Sequence, residues 1–144
     1  SMTRFHLDTI RKDFADTVGW RELAAQVETI ASGLPAAERG RAVVLASSFG
    51  QGGALLRYGS GLPPVVSPDL TFWYWKPAAL DPATVIVVGY DAALLRRYFG
   101  QVTQVGTIGN ALGVRNEQRG QRIFVCREPR LPFNVLWEGL RSYR

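Results

Sequence analysis

Trp20, Leu23, Ala24, Val27, Ile30, Ala31 and Leu34 recur at intervals of three and four residues, the period of an amphipathic helix with one buried stripe. Asp16 or Thr17 is placed to cap its start, and Gly33 with Pro35 to stop it. Ahead of it, Phe5, Leu7, Ile10 and Phe14 give only a loose apolar stripe. Arg41 to Ser47 is the first strand; its continuous apolar run, Val43-Val44-Leu45, suits a strand covered on both faces. Gln51 to Tyr58 reads as a short helix ended by Gly59, and Pro64 to Ser67 as a second strand whose prolines mark an edge or a strand end.

Residues 68–82 form a long irregular excursion. Thr84 to Val88 is a third strand, after which Asp91 caps a helix carrying Leu94, Leu95, Tyr98 and Phe99 and closed by Gly100. Val102 to Ile108 and Arg122 to Cys126 are the last strands, separated by a polar, mobile loop from Gly109 to Gln121. Phe133, Leu136, Trp137 and Leu140 mark a C-terminal helix. Helices alternating with strands predict an α/β fold: a mostly parallel sheet of about five strands with helices on both faces, a Rossmann-like three-layer sandwich. In open sheets of this kind ligands bind outside the carboxyl ends of the strands. Ser47 to Gly53, Ser67 to Lys76 and Gly89 to Asp91 all fall at that edge.

Composition narrows the class. The chain has 144 residues, 47% hydrophobic and 20% charged, which suits one globular domain with a real core. No apolar run approaches the roughly 20 residues that span a bilayer, and no signal peptide opens the chain. Ser1 before Met2 has the look of a tag-cleavage scar, so the natural chain is expected to start earlier. A net charge of +5, from 17 basic and 12 acidic residues, favours anionic partners. The arginines are scattered rather than gathered in a stripe, which argues against nucleic acid as a partner. Cys126 is the single cysteine and lies in the apolar run Ile123-Phe124-Val125, where a buried inert thiol is expected.

Candidate chemistry is sparse. Ser48-Phe49-Gly50-Gln51-Gly52-Gly53 opens a helix directly after a strand, where free backbone N–H groups can hold an anion. Gly50-x-Gly52 has part of the dinucleotide fingerprint, and Asp69 stands where its ribose-binding acid would. The third position is Leu55, however, where close helix–strand packing needs Gly or Ala. A plain strand-to-helix turn explains the same residues. Phe72-Trp73-Tyr74-Trp75, between Asp69 and Lys76, is costly to leave in water. Its rings could stack on a sugar, sit at a membrane interface, or cover the sheet edge. Lys76 could hold a phosphate or be solvated. His6, the one histidine, stands far from every other candidate, so a Ser–His or Cys–His pair is not expected, and no Cys/His cluster has zinc-ligand spacing. Glu22, Glu28 and Glu38 read as solvated helix-face or turn residues. No catalytic set, metal site or cofactor site emerges.

Several motifs in order resemble a known family. Gly19-Trp20-x-Glu22-Leu23 is followed by Leu34-Pro35-x-x-Glu38-Arg39, then by the turn Ser48-Phe49-Gly50-Gln51-Gly52 in place of an Asn-Tyr-Gly-Glu-Ala-like one. Tyr58-Gly59, Gly61-Leu62-Pro63 and Ser67-Pro68-Asp69-Leu70-Thr71-Phe72-Trp73-Tyr74-Trp75-Lys76-Pro77 come next, and Val125-Cys126-Arg127 with Trp137 and Leu140 closes the series. This order resembles the soluble C-terminal, extracytoplasmic domain of bacterial protein-mannosyltransferase-like membrane glycosyltransferases, the group that includes the lipid A aminoarabinose transferases. It departs from the family pattern at polar places: Ser48 for Asn, Gln51 for Glu, Pro68-Asp69 for Gly-His and Lys76 for Gly.

The resemblance implies that residues 1–18 lead in from a membrane region and that residues 19–144 form one domain outside the cytoplasm. It implies a parent enzyme that moves a sugar from a polyprenyl-phosphate donor, with its catalytic acid in the transmembrane part, so that the fragment alone transfers nothing. Expected partners are the transmembrane domain of the same polypeptide, a lipid-linked sugar or glycan acceptor, and an anionic membrane surface. Expected contacts are Ser48, Gly50, Gln51, Ser67, Asp69, Trp73, Tyr74, Trp75 and Lys76. The alternative from the residues themselves is a cytosolic nucleotide- or phosphate-binding α/β module.

Overall fold

The computed structural model describes residues 2–67, 80–107 and 122–142, with side chains from residue 17 onward. Helix α1 runs unbroken from Met2 to Gly33, about 48 Å at the usual rise. The expected cap at Asp16 or Thr17 is therefore corrected: both lie inside the helix. No proline interrupts the first 33 residues, and the lone interior Gly19 lowers helix propensity without stopping it. Leu34 and Pro35 turn the chain into the short α2, Ala36–Arg39.

Five strands form one mixed sheet in the order β2-β1-β3-β5-β4. They are β1 (Ala42–Ala46), β2 (Val65–Val66), β3 (Thr84–Val88), β4 (Phe99–Thr107) and β5 (Arg122–Pro129). Strand β1 is an interior strand and buried along its whole length, as its unbroken apolar run predicts. The proline-flanked β2 is an edge strand. The mostly parallel sheet expected from the sequence is corrected. β1 pairs in parallel with β2 and β3, but β5 pairs antiparallel with both β3 and β4. No helical pattern separates β4 from β5, and strands joined without a crossover helix pair antiparallel. β5 thus splits the unit β3–α4–β4, with α4 spanning Ala92–Tyr98.

Helices cover both faces. On one side Leu23 and Val27 of α1, Leu34 just after it and Leu55 of α3 (Phe49–Tyr58) pack on Val44, Ile86, Val88 and Val125. On the other, Leu95 of α4 and Phe133, Leu136, Trp137 and Leu140 of α5 (Phe133–Arg141) pack on Val43, Val85, Val87 and Phe124. Alternate residues of each strand serve the two cores, because successive strand side chains point to opposite faces. Each fully buried Leu, Ile or Val contributes about 1.5–3 kcal/mol of transfer free energy.

Two details of α4 differ from expectation. Phe99 and Gly100 do not end α4; they begin β4, and the Phe99 N–H still donates to Leu95 O while its own backbone is already extended. Asp91 stands at the N-cap of α4, but its side chain makes no capping hydrogen bond. The expected loop from Gly109 to Gln121 lies outside the described residues.

Candidate functional site

The carboxyl ends of β1, β2 and β3 converge where the sequence places the ligand edge. Ser47 follows β1, and its N–H is shared between Val88 O at 3.0 Å and Gln51 Oε1 at 2.9 Å. The Ser47 hydroxyl donates to the same Gln51 oxygen at 2.8 Å. Gly89, just past β3, has φ +90°, and a Cβ there would overlap Ser47 Oγ and lie 2.8 Å from Gln51 Nε2. A glycine at this point lets the β3 turn close onto the Ser47–Gln51 pair.

Helix α3 starts at Phe49, two residues earlier than its apolar pattern indicates. Ser48 is its N-cap, and Ser48 Oγ accepts from Gln51 N at 3.2 Å. Gln51 points inward and is 1% exposed. Ser67, directly after β2, is fully buried. Of the expected contact residues, Ser48, Gly50, Gln51 and Ser67 stand at this edge. Asp69, Trp73, Tyr74, Trp75 and Lys76 lie outside the described residues.

The dinucleotide fingerprint is not built here. Leu55 is fully buried in the core beneath α3. The Gln51 amide N–H, one of those a phosphate would use, is taken by the Ser48 hydroxyl. Tyr90 is buried beside the edge; burial raises its phenol to about 12, and its hydroxyl has no hydrogen-bond partner among the described residues. It is neutral at any physiological pH.

At the opposite edge lies a polar cluster that the sequence does not announce. Glu38 accepts from Thr84 Oγ1 at 2.8 Å and from Arg127 Nε at 2.5 Å, and Arg127 Nη2 reaches its other oxygen at 3.3 Å. The Arg127 hydrogen bond, then that of Thr84, hold the Glu38 carboxyl below its ordinary range. Glu38 is therefore an anchor between α2, β3 and β5, not the solvated turn residue that its surroundings in sequence suggest. Thr84 is fully buried, which makes its hydroxyl dependent on this partner. A cleft of about 250 Å³ opens nearby, lined by Arg39, Arg41, Pro64, Leu80, Asp81 and Pro82, with an exposed Arg41–Asp81 pair at 3.3 Å.

Cys126 is fully buried in β5, and burial raises its thiol to about 12. His6 belongs to the part of α1 whose side chains are outside the description. Among the described residues, no group of three or more His, Cys, Asp or Glu side chains could hold a metal ion, and no helix is long and apolar enough to cross a membrane.

No protein-family model, no curated protein and no solved structure matches this chain.

Proposed function

We propose that this chain is a non-catalytic, extracytoplasmic domain of a polytopic membrane glycosyltransferase that takes its sugar from a polyprenyl-phosphate donor. The domain assists acceptor or donor binding beside the membrane, with the transmembrane part of the same polypeptide as its permanent partner. Support comes from one contact above all. Glu38 of Leu34-Pro35-x-x-Glu38-Arg39 is bonded to Arg127 of Val125-Cys126-Arg127, two pieces of the motif series 89 residues apart in the chain. Trp20 and Leu23 of the first motif belong to the same packed core as the strand that follows the second. The motif series thus falls on residues that hold one another in place.

In this reading the sandwich is a Rossmann-like one. Its parallel β2-β1-β3 half is kept, and its other half is rebuilt by β5. Ser48, Gly50 and Gln51 shape the carboxyl edge, and Asp69, Trp73, Tyr74, Trp75 and Lys76, which follow Ser67 in the sequence, are the contacts proposed for the substrate or the headgroups. A nucleotide-binding role is the weaker reading, because Leu55 stands where the fingerprint needs Gly or Ala for close helix–strand packing, and the Gln51 N–H that a pyrophosphate would use is already capped.

The test uses the parent enzyme and the fragment together. Changing Trp73 and Trp75 to Ala should abolish most sugar transfer by the full-length protein while leaving the urea midpoint of the fragment unchanged. Equal loss of fragment stability would assign those rings to packing. Nucleotide binding tighter than about 10 μM, near −7 kcal/mol, would favour the cytosolic alternative.

A further inference from the structure

We propose that the outer face of α3 is a docking surface for an anionic lipid bilayer. The inference rests on the membrane-proximal placement above, but its observations are separate. Gln51, Gly52, Ala54 and Leu55 are the buried residues of α3. Phe49 and Leu56 are 60% and 50% exposed. Seven residues apart, they lie on one face, about 10.5 Å apart along the axis. Exposed apolar residues scattered singly need no explanation, but a Phe and a Leu aligned on one helix face form a patch. Beside Leu56 the patch continues into a groove of about 240 Å³ lined by Leu55, Leu62, Pro63, Pro64 and Val65.

Arg57 follows Leu56 directly, and a second cation, Arg21, lies at the end of α3. α3 carries no acidic residue, and its last turn holds Arg57. The Arg57 guanidinium lies 5.4 Å from the centre of the Tyr58 ring, and that of Arg21, from α1, lies 5.0 Å from the same ring. Neither arginine pairs with a carboxylate among the described residues. Glu28, on the adjacent stretch of α1, is taken up by the Ser60 N–H at 2.6 Å. Two guanidiniums at one ring gather positive charge that an anion complements. An exposed Phe and Leu on a helix that ends in unpaired arginines are the makings of an interfacial surface: Phe49 and Leu56 enter the acyl boundary and the arginines take lipid phosphates. A second copy of the chain is a poorer occupant, because a two-fold pairing through this face brings four arginines together.

Co-sedimentation with vesicles of roughly one-third phosphatidylglycerol in phosphatidylcholine tests this on the chain as it stands. Binding should be strong with these vesicles and absent with pure phosphatidylcholine. The double variant Arg21→Gln/Arg57→Gln should bind about thirtyfold more weakly, and Phe49→Ser/Leu56→Ser at least about tenfold more weakly. Their urea midpoints should match the parent chain, since all four side chains lie at the surface. Leu56→Trp gives a readout that needs no loss of function: its added emission should shift to the blue on anionic vesicles only. Equal binding to neutral vesicles, parent-like binding by either double variant, or an unmoved Leu56→Trp emission would each overturn the proposal. So would self-association that Phe49→Ser/Leu56→Ser abolishes. Failure on vesicles would leave the glycosyltransferase reading standing, because that is decided on the parent enzyme.

Discussion

Replacing Gly89 with Ala tests how the sheet's carboxyl edge is held together. Its φ of +90° is one that residues with a Cβ rarely adopt, and holding such a residue there costs about 1–3 kcal/mol. The new Cβ would also overlap Ser47 Oγ, pushing that hydroxyl off Gln51 Oε1 and forfeiting a hydrogen bond with a net contribution of about 1 kcal/mol. The expected loss is therefore about 2–4 kcal/mol, a large part of the roughly 5–15 kcal/mol that stabilises a typical domain. Urea unfolding followed by tryptophan fluorescence measures it, with the slope checked for constancy so that the change in midpoint reports stability. Ser47→Ala removes the overlapping atom. In that background Gly89→Ala should cost about 1 kcal/mol less than in the parent chain, the sign of coupling between neighbours. A loss under about 0.5 kcal/mol, the usual range for an unconstrained surface position, would refute the account of this turn.

Two further expectations concern titration. The folded-state carboxyl of Glu38 is depressed by Arg127 and Thr84, so its stabilisation is complete above its ordinary value near 4.5 and is lost as pH falls through the lower folded value. The stability gap between the parent chain and Glu38→Gln should be widest at neutral pH and close in acid; a gap of constant size down to about pH 3 would contradict the assignment. Cys126, raised to about 12 by burial, should resist Ellman's reagent at about pH 8 in the folded chain and react once urea is added, whereas rapid labelling of the native protein would show that β5 is not packed as described.

Particular residues explain what the sequence could reveal. Val43-Val44-Leu45 marks a strand covered on both sides, and the prolines at the second strand mark an edge or a strand end; both follow from local chemistry alone. Phe133, Leu136, Trp137 and Leu140 drew α5 correctly because only a helix brings those four to one face. Strand order was different. Ile123 to Cys126 is apolar whatever its neighbours, and nothing in that run says that β5 enters between β3 and β4. The absence of a helical pattern between the last two strands was the available signal for antiparallel pairing. The start of α3 was hidden because Gly50 and Gly52 are poor helix formers, and the Ser48 cap outweighs them.

Where the candidate residues stand was legible in the same partial way. The carboxyl-edge turns assemble as the alternation of strands and helices implies, and Ser48, Gly50, Gln51 and Ser67 are there. Glu38 was opaque because its partner Arg127 is 89 residues away, and a lone acid after a helix reads as solvated. Phe49 and Leu56 were opaque for another reason: Phe49 reads as part of the turn before the helix, and only the packed structure shows that the two share one exposed face.

The most direct measurement is the sequence of the natural gene upstream of the codon for Met2. A continuous reading frame encoding many hydrophobic spans, whose full product moves sugar from a polyprenyl-phosphate donor, is what the account predicts. A start codon at Met2 with the product free in the cytosol, or sugar transfer by the purified 144-residue chain alone, would contradict it.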